Sequence, residues 1–598
     1  MAAITLERTI TCRADSCSLW DVLTDTERLN RAIGNNKLEV SAFSDGTPAR
    51  FVARTRISGF DLEYEERPFE WVYPQRFEIL RRMRNGPIKF FDLKLAFKPQ
   101  PDGTTALAVT LKLDPRYGFL APVVRVAAGQ VMGRLVAEAA RLDGAIMSGA
   151  MPPTARKSPT ERPALLRAAA LLKAVDDTPL AAKLVDFVDT GGDLEISRIR
   201  PFELADEWKV DRHELLSTCL RAVKAGLLDL RWDIICPSCR TVSTSIPSLD
   251  KLSEHGGCQL CEITFDLNLD EAVEATFCPA KSVRQVDEGP YCIGGPARTP
   301  HVVAQQILEP GQSLPLTAPL ETGRFRLFLR GGAARPVEIS EGAPLKVAVS
   351  LSDESPDPLP LMLGPGGEIV VTNAASTGRH AKLERLEWLS KAASARVVTS
   401  LAAFRRDFAS DVLRPGSSLK VSRMGLFFSD LTDSTKLYST TGDAAAFKVV
   451  QDHFDVVIPL IEKHHGTLVK TIGDAVMAVF ADDMDGLRAC LALQPAFEAF
   501  RQSHADGLRT DIKLGFYSGP CFALTANKVL DYFGQTVNIA ARLQAQAHSG
   551  ELVIESLFAD QAIAEGVLQP AQVRERFTAE LKGVDRTFEM ARIGPPVR

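Results

Sequence analysis

Three short stretches in the last third of the chain place chemically capable side chains inside otherwise apolar segments. "FFSD" ends an apolar strand on Asp430 and runs into "LTDSTKLY", a helix start rich in hydroxyls and free N–H groups, with Thr435 as a candidate substrate contact. A carboxylate beside a helix N-terminus suits a metal–phosphate ligand, because the metal needs oxygen and the phosphate needs N–H donors. "VKTIGDAVMAVF" reads as two short strands around a Gly-Asp turn, with Lys470 before the tip and Asp474 on it. Asp430 and Asp474 both cap strand ends, and two such carboxylates can hold paired Mg²⁺ or Mn²⁺ ions for attack at phosphorus. "DYFGQTVNIAARL" places Asp531 ahead of Asn538 and Arg542, which are one helical turn apart and share a face. An amide and a guanidinium so placed suit a transition state that accumulates charge around phosphorus. Earlier in the chain stand "CPSC" (Cys236, Cys239) and "CQLC" (Cys258, Cys261). Two such knuckles supply the four sulfurs of a closed tetrahedral Zn²⁺ site, whose role is folding rather than catalysis.

These residues need a large scaffold, and the chain has one. Its 598 residues suit several domains, and a hydrophobic fraction of 45% with 24% charged residues is ordinary for soluble globular modules. A net charge of −5 argues against a whole-chain polyanion binder. Eleven cysteines in this length do not make a disulfide scaffold. The start "MAAITLERTITCRAD" has Glu7 and Arg8 where a secretion signal needs an apolar core, and "APVVRVAAGQVMGRLVAEAA" carries Arg125, Arg134 and Glu138. The expectation is a cytoplasmic protein whose long apolar helix is amphipathic and does not span a membrane.

The order of patterns predicts a multidomain α+β protein. Residues 1–150 read as a strand, a short helix, an antiparallel sheet and a long closing helix. That order resembles the START-like helix-grip superfamily, which implies either a small apolar ligand between sheet and last helix or a packed domain with none. A Pro/Ser/Arg-rich linker covers 151–163. Residues 164–306 contain helical patterns, then "RPFELADEWKVDRHELLSTCLRAVKAGLLDLRW", which resembles a winged helix with Gly226 as the helix stop, then the zinc ribbon at 236–261. The second helix of that unit offers Arg212, His213, Glu214 and Arg221, a mixed set that argues against nucleic-acid reading. Residues 307–380 are strand-rich and suggest a small β-sandwich-like module. Residues 381–416 read as a charged signalling helix with Leu401, Phe404, Phe408 and Val412 at helical spacing. From 423 to 598 strands and helices alternate.

"FFSDLTDST", "KTIGDAVMAVF", "GFYSGP" and "DYFGQTVNIAARL" together resemble the class III nucleotidyl cyclases, in order and spacing. The resemblance implies a ferredoxin-like catalytic domain in which Asp430 and Asp474, with the Leu431 carbonyl, hold the metals. It makes Lys470 and Asp531 the base-reading pair, Asn538 and Arg542 the transition-state pair, and Lys582 a phosphate contact. It also implies a homodimer, because metal and base-reading residues of one site come from different subunits. Lys470 can only donate and Asp531 can only accept, which matches the adenine N1 and amino group. ATP is then the expected substrate and cyclic AMP with pyrophosphate the products. The region with the winged helix and zinc ribbon resembles a module found ahead of some bacterial cyclases. One departure stands out: Asp433 occupies a position that is often Gly in the family. Two alternatives remain: a guanylate cyclase making cyclic GMP, and a zinc-dependent nucleic-acid-binding regulator whose cyclase-like domain only dimerises.

Overall fold

The computed structural model of the chain describes residues 3–595 except 43–50, 58–59, 150–157, 238–239, 259–262, 271, 293, 331, 353–358, 387–390, 409–412, 415–416, 435–438, 440–441, 504–509, 527–528 and 582–586. The first module wraps an antiparallel sheet around the helix Ala121–Ser148. That helix is long and apolar enough to cross a membrane by length and composition alone. Here its stripe Val124, Ala128, Met132, Leu135, Ala139 and Leu142 is buried in one core with the sheet residues Phe77, Leu95, Val109 and Leu111.

The expected module boundaries give way where sheets cross them. The strand Val302–Leu308 runs through the boundary placed between 306 and 307, and it pairs both with Arg379–Arg385 and with Glu70–Val72 of the first module. The Trp71 indole N–H donates to the Val302 carbonyl at 2.9 Å, which ties the two modules into one thirteen-stranded sheet. A smaller sheet, Ser313–Thr317, Lys346–Leu351 and Glu368–Asn373, packs Leu316, Val349, Ile369 and Val371 in one core with Phe325, Leu327 and Leu383 of the larger one. The single helix expected over 381–416 is not what forms. Arg379–Arg385 is a strand, in which Lys382 and Glu384 are buried and Glu384 is ion-paired to Arg326 at 2.6 Å. Two short helices follow, Ala395–Thr399 and Ala402–Asp407; Val412 lies outside the described residues.

Between these parts, Pro201–Trp208 and Arg212–Lys224 form a helix pair, and Gly226 at φ 75° closes the second helix before the strand Leu228–Ile235. Arg212 is ion-paired to Asp206 at 2.6 Å and Arg221 to Asp176 at 2.7 Å.

The last domain begins with the strand Ser418–Leu431, five residues earlier than the expected start at 423, because Ser418 already pairs with Leu524. Helix Asp443–Lys463, the hairpin Thr467–Ile472 and Ala475–Phe480, helix Asp483–Ser503 and strand Ile512–Ala526 follow. The four strands lie in the order Thr467–Ile472, Ala475–Phe480, Ser418–Leu431, Ile512–Ala526, with both helices on one face. This βαββαβ order is ferredoxin-like. Phe427, Val476, Ala478, Phe480 and Phe516 bury that helical face. Alternate residues Leu426, Phe428, Met477 and Val479 join a different core, shared with Val398, Leu401 and Phe404 from the short helices upstream.

Candidate functional site

Strand ends and one tight turn bring the two carboxylates together. Asp430 is the penultimate residue of its strand, in register with Lys513. Asp474 lies in a two-residue turn between paired Ile472 and Ala475, and Gly473 supplies the φ of 65° that such a turn requires. Both acids are half-buried. Burial first, and then the Asp474 carboxylate, push the Asp430 carboxyl above its ordinary value, while Lys513 opposes the shift. Asp474 Oδ2 is buried with no hydrogen-bond partner among the described residues. An acid whose ionisation is disfavoured, beside a second with an orphaned oxygen, forms a donor set that a divalent cation would satisfy. Residues Asp430 and Asp474 therefore fit the expected metal role, and the Leu431 carbonyl lies at the same strand end.

Lys470 and Asp531 meet as well. Lys470 Nζ donates to Asp531 Oδ2 at 2.7 Å and lies 5.4 Å from the Phe533 ring centroid. Asp531 Oδ1 accepts from the Tyr532 N–H at 2.8 Å, which fixes the carboxylate on its strand Val529–Phe533. The hairpin thus aims two neighbouring side chains at different partners, Lys470 at Asp531 and Asp474 at Asp430.

Asn538 is exposed and Arg542 half-buried on the helix Gln535–Ala545. A close approach seats that helix: a Cβ at Gly515 would collide with the Gln544 backbone, so "GFYSGP" needs its first glycine for packing. Thr435 and Lys582 lie outside the described residues.

Residues 418–585 match the family profile described as the adenylate and guanylate cyclase catalytic domain. This part of the chain is a class III cyclase catalytic domain. Residues 164–290 match a second profile, described only as a family of unknown function. A receptor-type guanylate cyclase, gcy-4, of Caenorhabditis elegans is 30% identical over 131 residues, covering 20% of this chain and 12% of that protein. Atrial natriuretic peptide receptor 2 of Homo sapiens is 27% identical over 184 residues, covering 29% and 18%. The adenylyl cyclase CyaB from P. aeruginosa, a solved structure, is 19% identical, with a TM-score of 0.26 over 30% of this chain and 98% of its own. The chain spans 12–19% of the length of the curated relatives it matches.

Three features of the cyclase domain escaped the sequence reading. Lys513 opposes Asp430 in register, and only the strand alignment reveals it. His453 is fully buried and bonds the Val450 carbonyl through Nδ1 at 2.7 Å; burial lowers its pKa, and the Asp474 charge opposes that shift. Thr432 and Asp511 exchange two hydrogen bonds, of 2.7 and 2.8 Å, that tie the loop after Asp430 to the next strand. Asp433, beside them, sits at φ 53°, a region that favours glycine.

At the expected zinc ribbon, Cys236 and Cys258 are buried in one small cluster with Ile263 and Phe265. The Arg240 N–H donates to the Cys236 carbonyl at 2.8 Å, and Arg240 turns at φ 57°, as a tight knuckle requires. Cys258 pairs with Ile263 at a hairpin end. Cys239 and Cys261 lie outside the described residues.

Proposed function

We propose that the chain is an adenylate cyclase that converts ATP to 3′,5′-cyclic AMP and pyrophosphate at two composite sites of a homodimer. The observation that carries the substrate choice is the Lys470–Asp531 pair, a donor and an acceptor 2.7 Å apart. Adenine offers the complementary acceptor at N1 and donor at its amino group, whereas guanine offers N1–H and O6, the reverse. Support for the dimer comes from the apolar residues left exposed around the pair: Ile472, Phe522, Val529 and Phe533 are each about half exposed.

In this reading Asp430, Asp474 and the Leu431 carbonyl hold Mg²⁺ or Mn²⁺, which when bound acidifies the ribose 3′-hydroxyl and offsets phosphate charge. Lys470 and Asp531 orient the base, and Asn538 and Arg542 face the charge that grows at the α-phosphorus. The 3′-oxygen–phosphorus bond forms as the bond to pyrophosphate breaks, and the hydroxyl proton leaves to solvent. Cysteines 236, 239, 258 and 261 would hold a structural Zn²⁺ that stabilises the preceding module. The first module has a cavity of about 270 Å³ lined by Phe77, Ile79, Leu93, Leu95, Val131 and Leu135, which suits a small apolar ligand as the sensed signal. A cytoplasmic location goes with this reading.

A second reading, cyclic GMP from GTP, draws on the Caenorhabditis elegans relative named as a guanylate cyclase. Incubating the purified chain with ATP or GTP, each with Mg²⁺ or Mn²⁺, and quantifying both cyclic products separates the two. Cyclic AMP in excess supports the first; cyclic GMP in excess replaces it with the second.

A further inference from the structure

Three side chains converge where the helix Arg212–Lys224 meets the cyclase domain. His213 lies in the first turn of that helix, His465 in the turn after Asp443–Lys463, and Asp485 in the first turn of Asp483–Ser503. One ligand-capable atom from each lies within 4.8 Å of the others. The two imidazoles stack, with centroids 4.3 Å apart and planes 7° from parallel. His465 Nδ1 is 2.8 Å from Asp485 Oδ2, and Arg488 donates to Asp485 Oδ1 at 2.8 Å. His213 Nδ1 is buried with no hydrogen-bond partner among the described residues.

A buried imidazole nitrogen without a partner forfeits its hydration with nothing in return. Neutral imidazole and carboxylate are donors that borderline cations prefer. We propose that His213, His465 and Asp485 form a third metal site, taking Zn²⁺ or a similar divalent transition metal, that clamps the module at 164–290 onto the cyclase domain. Three protein ligands leave a fourth position for water. Tetrahedral Zn²⁺ with nitrogen and oxygen ligands sets ligand atoms about 3.3 Å apart. Rotation of the two imidazoles out of their parallel stack converges their in-plane lone pairs and closes the remaining gap, and Asp485 exchanges its His465 contact for the metal. Because this donor set contains no sulfur, it is distinguishable from the cysteine knuckles.

The test uses the full-length chain, loaded with Zn²⁺, freed of excess by gel filtration and analysed for bound metal. His213→Phe keeps a ring to stack on His465 but removes the ligand nitrogen; His465→Gln removes the second ligand. Each variant, with circular dichroism matching wild type, is expected to hold one Zn²⁺ per chain fewer than wild type. Reloading with Co²⁺ should give a wild-type-minus-variant spectrum with ligand-field bands and no thiolate charge-transfer band. An unchanged metal count in a folded His213→Phe chain overturns the proposal. So does a difference spectrum that carries the thiolate band, because the lost metal was then bound by sulfur.

Discussion

Lys470 Nζ and Asp531 Oδ2 lie 2.7 Å apart although 61 residues separate them in the chain. The pairing makes base selection testable. Lys470→Glu with Asp531→Cys reverses part of the hydrogen-bond pattern, since glutamate accepts from the guanine N1–H and cysteine is a weak donor to O6. A buried polar group left unpaired costs about 1–3 kcal/mol. Two mismatches should therefore lower ATP use by roughly a hundredfold or more. The gain for GTP should be smaller, because a thiol donates poorly. Steady-state rates on both nucleotides check this, and an undiminished preference for ATP in the double mutant would show that these side chains do not read the base.

The carboxylate pair carries a different signature. Asp430→Ala or Asp474→Ala should abolish cyclic nucleotide formation. Because Asp430 loses hydration on folding and the Asp474 charge opposes its ionisation, removing either acid should leave the melting temperature unchanged or raise it. Thermal unfolding measured beside activity tests both halves. Substantial turnover in either mutant contradicts the metal assignment.

Much of this site was legible in the sequence because its polar residues interrupt apolar strands at their ends, as Asp430 and Asp474 do. The glycine-containing turn and the helix spacing of Asn538 and Arg542 are local signals, and the structure keeps them local. What failed was non-local. The stretch 381–416 reads as one charged helix because Leu401, Phe404, Phe408 and Val412 fall at helical spacing, yet pairing with Val302–Leu308 and Gly323–Leu329 makes its first part a buried strand. The boundary between 306 and 307 failed for the same reason, since the strand Val302–Leu308 that runs through it is set by pairing with Arg379–Arg385. Nothing in sequence joins His213 to His465.

The knuckles predict a metal of their own. Cys236→Ser and Cys258→Ser should each lose one zinc per chain and destabilise the fold, because a structural site contributes binding energy to folding. Metal analysis with denaturant titration checks this; full zinc content in both variants excludes the cysteine site.

Asp433 tests the strained turn. Its φ of 53° costs residues that carry a Cβ roughly 1–2 kcal/mol, least for Asp and Asn and most for side chains branched at Cβ. Asp433→Val should lower stability by about that amount, whereas Asp433→Gly should be neutral or slightly stabilising because it relieves the same strain. Urea unfolding of the two variants is the measurement, and equal midpoints would show that the turn relaxes without cost.

The hairpin aims Lys470 at Asp531 and Asp474 at Asp430, so one turn serves two different clusters. If those clusters belong to different active sites, each site takes its carboxylates from one chain and its base-reading and transition-state residues from the other. Asp474→Ala and Arg542→Ala chains should each be inactive alone. In a dimer of one with the other, one site carries both defects and the second carries neither. Random pairing makes half the dimers mixed, so the mixture should recover about one quarter of wild-type activity. Placing both substitutions in one chain and mixing it with wild type gives the control, because each site of that mixed dimer then carries one defect. Co-expression with two affinity tags isolates the mixed dimers for assay. Inactivity of tagged, verified heterodimers from the two single mutants would rule out shared sites and place all six residues in a single-chain centre.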